Sequence, residues 1–147
     1  MKYESIDSKL FIKNRANFSK EMKKNSIAFF NSNDIYPVSA DSTLPFEQHR
    51  DIFYLSGIDQ EESILVLSPD NPNPDLREIL FLKETNDHIA VWEGPKINKS
   101  QALKISGIKT VFWLGDLEKV IEKLMSSCQN IYLNKKIFMN LPILPLL

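Results

Sequence analysis

Six short apolar runs punctuate this chain: SIAFF at 26–30, SILVL at 63–67, EILFL at 78–82, HIAVW at 88–92, KTVFWL at 109–114 and NIYL at 130–133. Each holds four to six residues and is bounded by polar or turn-forming residues, so each predicts a buried strand. The segments between them decide how the strands join. Asp7 or Ser8 can cap a helix that runs to about Lys24, with Phe11, Arg15, Phe18 and Met22 on one face. Residues 31–45 hold Asn, Asp, Ser and two prolines and read as loop. SPDNPNPD at 68–75 is a proline-rich turn, so 63–82 reads as a hairpin with a loop too long for a tight turn. Gly94-Pro95 ends the fourth run. Asn98 or Ser100 caps a short helix that Gly107 can stop in a left-handed conformation. Asp116 caps a helix with Leu117, Val120, Ile121 and Leu124 on one face.

The β-α-β-α-β order of the second half implies parallel strands with crossover helices, following a hairpin in the first half. The expected fold is therefore a three-layer α/β domain with a mixed sheet flanked by helices. At 147 residues the chain suits one domain with a real core. That domain is expected to occupy 1–135. The last residues, 136–147, carry FMNLPILPLL, whose two prolines argue against helix and central strand. They read as the start of a connection to a further domain. No internal repeat or low-complexity segment stands out.

Composition narrows the function. The formal charge is −1 and the pI about 6.1, without the basic face that gripping nucleic acid requires. Lys23-Lys24 and Lys135-Lys136 read as solvated ends of elements. The single cysteine, Cys128, allows no intrachain disulfide and is compatible with a reducing compartment. The first residues lack an apolar core of signal-peptide length, and no run approaches the ~20 apolar residues of a spanning helix. Two glycosylation sequons, at Asn17 and Asn98, carry little weight without a secretory signal. The expectation is a soluble, cytoplasmic protein that binds neither nucleic acid nor membrane.

Signs of chemistry are sparse. The four glycines, Gly57, Gly94, Gly107 and Gly115, have no dinucleotide or phosphate-loop spacing. His-Glu-x-x-His and Cys-x-x-Cys are both missing. Cys128 lacks a local signature for activation by a histidine and reads as a core or surface cysteine. The segment around His49 is the one that looks like a site: Glu47, Asp51, Asp59, Glu61 and Glu62 crowd about it. A two-metal hydrolase needs about five carboxylate and imidazole ligands on rigid elements. These residues instead precede a strand, and the adjacent Glu61 and Glu62 point to opposite sides in an extended segment. They read as polar residues in a connection, and His88, beside Asp87, as a satisfied edge histidine. The residues alone give an α/β domain with no self-contained active site.

The succession SADS, PFEQHRDIFYLSGIDQEESILVL, EILFLKE, VWEG, GIKTVFWL and NIYL resembles the N-terminal domain of Xaa-Pro aminopeptidases (aminopeptidase P), in the creatinase/prolidase superfamily. The resemblance covers about residues 8–133. It implies a ribonuclease-H-like α/β arrangement. It also implies that catalysis belongs to a separate C-terminal pita-bread domain, where two Asp, one His and two Glu hold two manganese ions. The N-terminal domain would then be non-catalytic, holding no cofactor or metal itself. It would build contacts in a homo-oligomer and wall the cavity that receives a peptide with a penultimate proline. Two positions carry over. Trp92, in VWEG, matches a tryptophan lying against the substrate cavity, where an aromatic face suits a proline ring; the plainer reading is a half-buried core tryptophan. Asp41, in SADS, matches an aspartate that approaches the active site from a neighbouring subunit; the plainer reading is a turn or capping aspartate.

The chain departs from the family pattern at Glu47, where an arginine is usual, and at Arg50, where a serine is usual. Any contact made by that arginine is in doubt here. Two other readings are weighed. One is a stand-alone α/β interaction module without peptidase activity. The other is a nucleic-acid enzyme on a ribonuclease-H-like sheet, which the near-neutral charge and scattered acids oppose.

Overall fold

A computed structural model describes residues 4–134. Five of the six runs are strands of one sheet: β1 (Ser26–Asn31), β4 (Ser63–Leu67), β5 (Glu78–Leu82), β6 (Thr110–Trp113) and β7 (Asn130–Leu133). Their spatial order is β6-β5-β4-β1-β7. β4 runs antiparallel to both neighbours, whereas β5 with β6 and β1 with β7 pair in parallel. The expected mixed sheet, hairpin and parallel crossovers are thus all present. The loop read at 31–45 contains a small hairpin of its own, β2 (Pro37–Ser39) with β3 (Ser42–Thr43).

Both faces of the sheet are covered, which is why its strands read as continuous apolar runs rather than alternating ones. Ala28, Phe30, Leu65, Leu67, Leu80 and Leu82 point to one side. There they meet α1 (Ser8–Glu21), α2 (Arg50–Ser56) and α4 (Lys99–Ser106) through Phe18, Ile52, Leu55 and Ala102. Ile27, Val66, Ile79 and Phe81 point to the other side and meet α5 (Leu117–Met125) through Val120 and Leu124. Asp7 caps α1, its side chain accepting from the Lys9 N–H at 2.9 Å. Asn98 caps α4 in a reciprocal box with Gln101. Among the described residues no helix is long and apolar enough to cross a membrane.

One expectation is overturned. The fourth run, 88–92, is not a strand but lies in a helix, α3 (Asp87–Glu93). Asn86 caps it, accepting from the Ile89 N–H at 2.9 Å. A five-residue run cannot show a helical period, and α3 has no fully buried residue. Ile89 and Ala90 are half-buried, and Val91 and Trp92 stand on the surface. The segment around His49, read as a connection, likewise contains α2.

Arg15 explains how three helices share one face. Its position on the apolar side of α1 is real, yet it is a fully buried cation, 0% exposed. Nη1 donates to the Leu55 and Ser106 carbonyls, both at 2.9 Å, and Nε donates to Glu78 Oε2 at 2.9 Å. The two carbonyls belong to the last turns of α2 and α4, whose orphan acceptors need a donor. These helices end alike, in Ser56-Gly57-Ile58 and Ser106-Gly107-Ile108. In each the serine hydroxyl donates back one turn, to Ile52 or Ala102, and accepts from the isoleucine N–H. In each the glycine is left-handed, with φ of 71° and 73°. This local recurrence is too short to register as a sequence repeat. Burial pushes the Arg15 guanidinium pKa down, and the neighbouring Glu78 carboxylate only partly offsets it.

Candidate functional site

β1 and β5 are parallel, so they finish at the same end of the sheet, where ligand sites of open α/β sheets usually form. From β1 the chain leaves into residues 32–49, which carry the β2–β3 hairpin. From β5 it leaves into an arm, residues 83–97, which carries α3. Between the two roots lies a cleft of 420 Å³, lined in part by Asp34, Glu62, Lys83, Glu84 and Leu114.

Residues 60–62 grip both roots of the arm. Glu62 adopts a left-handed φ of 50°, and its side chain and that of Glu61 take different partners. Glu62 pairs with Lys83, at the arm's first root, at 3.2 Å. The same Lys83 ammonium reaches Glu93, in the last turn of α3, at 2.9 Å. Glu61 pairs with Lys96, at the second root. Next to it, Gln60 Oε1 accepts from the Ile97 N–H at 2.7 Å. Hydrogen bonding to Glu93, then to Glu62, raises the Lys83 pKa above its ordinary value against a small effect of burial. Burial acts to raise the Glu61 carboxyl. The hydrogen bonds from Lys96 and its own backbone, with the charges of Lys96 and Lys83, outweigh that and leave it below 4.5. Gln48 braces the same turn, its Nε2 donating to the Ile58 carbonyl at 3.0 Å and the Gln60 carbonyl at 2.9 Å. The sequence reading passed over Gln48, and the only signal was its place inside PFEQHRD.

The two residues singled out in the sequence sit on the two excursions. Trp92 lies on α3 and is 81% exposed, with Val91 beside it at 77%. It is not the half-buried core residue of the plainer reading; the half-buried tryptophan is Trp113, with the Lys99 ammonium 4.7 Å from its ring centroid. Asp41 lies in the two-residue turn of the β2–β3 hairpin, also exposed, after Ala40 in a left-handed conformation. The hairpin and its approach expose Tyr36, Val38 and Leu44. Apolar side chains therefore stand clear of the body on both excursions, with the Asp41 carboxylate at the tip of the hairpin.

His49 and its carboxylates do not assemble. His49 caps α2, its Nδ1 accepting from the Asp51 N–H at 3.3 Å. The Asp51 carboxylate lies 3.7 Å from the same nitrogen, and among the described residues no further ligand joins them. Glu61 and Glu62 are committed to Lys96 and Lys83, and His88 is exposed on α3. Among the described residues no three His, Cys, Asp or Glu side chains come together to hold a metal ion. The ligand set for two manganese ions does not fit these residues.

The sequence profile of the family described as "Aminopeptidase P, N-terminal domain" matches residues 11–132. The chain belongs to that family. Human Xaa-Pro aminopeptidase 3 is 26% identical over 103 residues, covering 69% of this chain and 20% of that protein. Xaa-Pro aminopeptidase of Escherichia coli K12 is 23% identical over 129 residues, covering 86% of this chain and 29% of that protein. A Bacillus anthracis structure described as an aminopeptidase P superposes with a TM-score of 0.81 at 26% identity, covering 91% of this chain and 32% of its own. This aminopeptidase P N-terminal-type domain thus spans a fifth to a third of the relatives it matches.

Proposed function

We propose that the domain is the non-catalytic N-terminal part of a manganese-dependent Xaa-Pro aminopeptidase, and that it shapes the substrate cavity and the contacts between subunits. The observation that carries this reading is Trp92. A large aromatic ring that is 81% exposed, inside the span that matches the family, has a surface to offer to a partner. Its face suits a proline ring, and Asp41, on the other excursion, offers a carboxylate to a peptide ammonium group. The metal and the hydrolytic step would belong to a C-terminal catalytic domain, residues 136–147 being the start of the connection to it. The setting would be a cytoplasmic homo-oligomer.

The test compares chain 1–147 with a chain extended by the coding sequence that follows Leu147, each assayed on an X-Pro-X peptide with and without manganese. The expected result is activity in the extended chain alone, lost on chelation. Trp92→Ala in the extended chain should raise KM about threefold to tenfold, the range of one lost aromatic contact. Activity in chain 1–147 itself would overturn the proposal. Silence in both would favour the stand-alone interaction module.

A further inference from the structure

We propose that Lys83 is a positioning residue for Trp92, acting through Glu93 and Glu62, so that the arm carrying the tryptophan is set by charge rather than by packing. The meaning of this rests on Trp92 being a cavity wall; the tether itself does not. α3 has no fully buried residue, and of its apolar side chains only Ile89 and Ala90 are even half-buried, so apolar contact holds it weakly. The hold on its last turn is polar. Lys83 leaves the end of β5, takes Glu62 of the turn at 3.2 Å, and takes Glu93, the residue after Trp92, at 2.9 Å. Lys96 and Ile97 are fastened to the same turn at the far root. Residues 60–62 are thus a clasp, and Lys83 joins the clasp to α3 itself.

The clasp is partly wet. The Lys83 side chain is 34% exposed, and Glu62 and Glu93 are 53% and 44% exposed. Exposed pairs of this kind are weak and screened by salt. Two of them shift a held-against-released population by roughly twofold to tenfold. Ionic strength should therefore change how tightly Trp92 is presented while leaving the core alone.

The full chain has two tryptophans, so Trp113→Phe makes Trp92 the sole emitter. Time-resolved fluorescence anisotropy then separates local motion of α3 from overall tumbling. The added salt would run from about 0.01 M to about 1 M, where the screening length falls from about 30 Å to about 3 Å. The expected result is a fast-motion amplitude that rises roughly twofold to tenfold across this range. Lys83→Met should show the high amplitude at all salt concentrations, and Lys83→Arg should stay near the parent. The charge-reversed pair, Lys83→Glu with Glu93→Lys, should lie closer to the parent than either single change. Circular dichroism confirms the fold; if Lys83→Met unfolds, Glu93→Gln on the exposed helix carries the same test. An amplitude indifferent to salt and to these substitutions would overturn the tether. Unchanged peptide kinetics in Trp92→Ala would instead overturn the cavity reading and leave the tether standing.

Discussion

Removing the Arg15 guanidinium should be the most damaging single change short of emptying the core. In Arg15→Met the stem keeps its packing, but three hydrogen bonds go. The Leu55 and Ser106 carbonyls lose a charged donor and are left buried. Each such loss costs about 1–3 kcal/mol. Glu78 loses its partner too, but it is 37% exposed and recovers by turning to water. The sum agrees with the 3–5 kcal/mol typical of breaking a buried pair, so about 3–5 kcal/mol is expected. For a domain of this size that lowers Tm by about 10–20 °C. Glu78→Gln keeps the shape and one acceptor oxygen and should cost only about 1–2 kcal/mol. Urea unfolding followed by circular dichroism measures both, and the double variant gives the coupling between them. A loss below about 1 kcal/mol in Arg15→Met would refute the reasoning. It would mean that the helix ends find water or relax, and that the guanidinium is not what joins α2 to α4.

The two glycine helix stops should respond unequally to alanine. Both lie at positive φ, which costs an L-residue about 1–2 kcal/mol. A Cβ at Gly57 would stand 2.3 Å from the buried Phe11 ring, whereas one at Gly107 would stand 2.7 Å from the flexible end of half-exposed Ile12. Gly57→Ala should therefore lose about 3 kcal/mol or more and Gly107→Ala about 1–2, and equal losses in urea unfolding would contradict this. The Glu61 carboxyl is held below 4.5 in the folded state, so its contribution to stability is complete above pH 4.5 and fades as pH falls through the folded value. Wild type should exceed Glu61→Gln in urea midpoint at pH 7, with the gap closing as pH falls from about 4.5 through the folded value; a gap that did not change with pH would count against the Lys96 pairing.

Much of the fold was legible because burial on both faces leaves an unmistakable trace. Five of the runs are strands within a residue of the expected ends, and Asn98, Gly107 and Asp7 mark their helix ends as their chemistry predicts. HIAVW misled because the same letters describe a buried strand and an exposed short helix, and exposure is decided by neighbours far along the chain. Arg15 could be placed on the right face but not recognised as buried, since its three acceptors come from residues 55, 78 and 106. Asp41 and Trp92 were singled out by resemblance, not by any local rule. The clasp was invisible because Glu61, Glu62, Lys83, Glu93 and Lys96 read singly as ordinary surface charges.

The strand order sets a schedule for synthesis. β1 leaves the ribosome before β4, β5, β6 and β7, yet one of its edges is completed by β7, residues 26–29 pairing with 130–133. At about 5–20 residues per second the chain spends roughly 5–20 s making the intervening segment. Throughout that time SIAFF, a bare apolar edge, is available to any passing strand. A nascent chain of this kind is most prone to stick to its neighbours just before β7 arrives. Dense polysomes should therefore aggregate it more than dilute refolding does, and slowing translation before residue 130 should make matters worse.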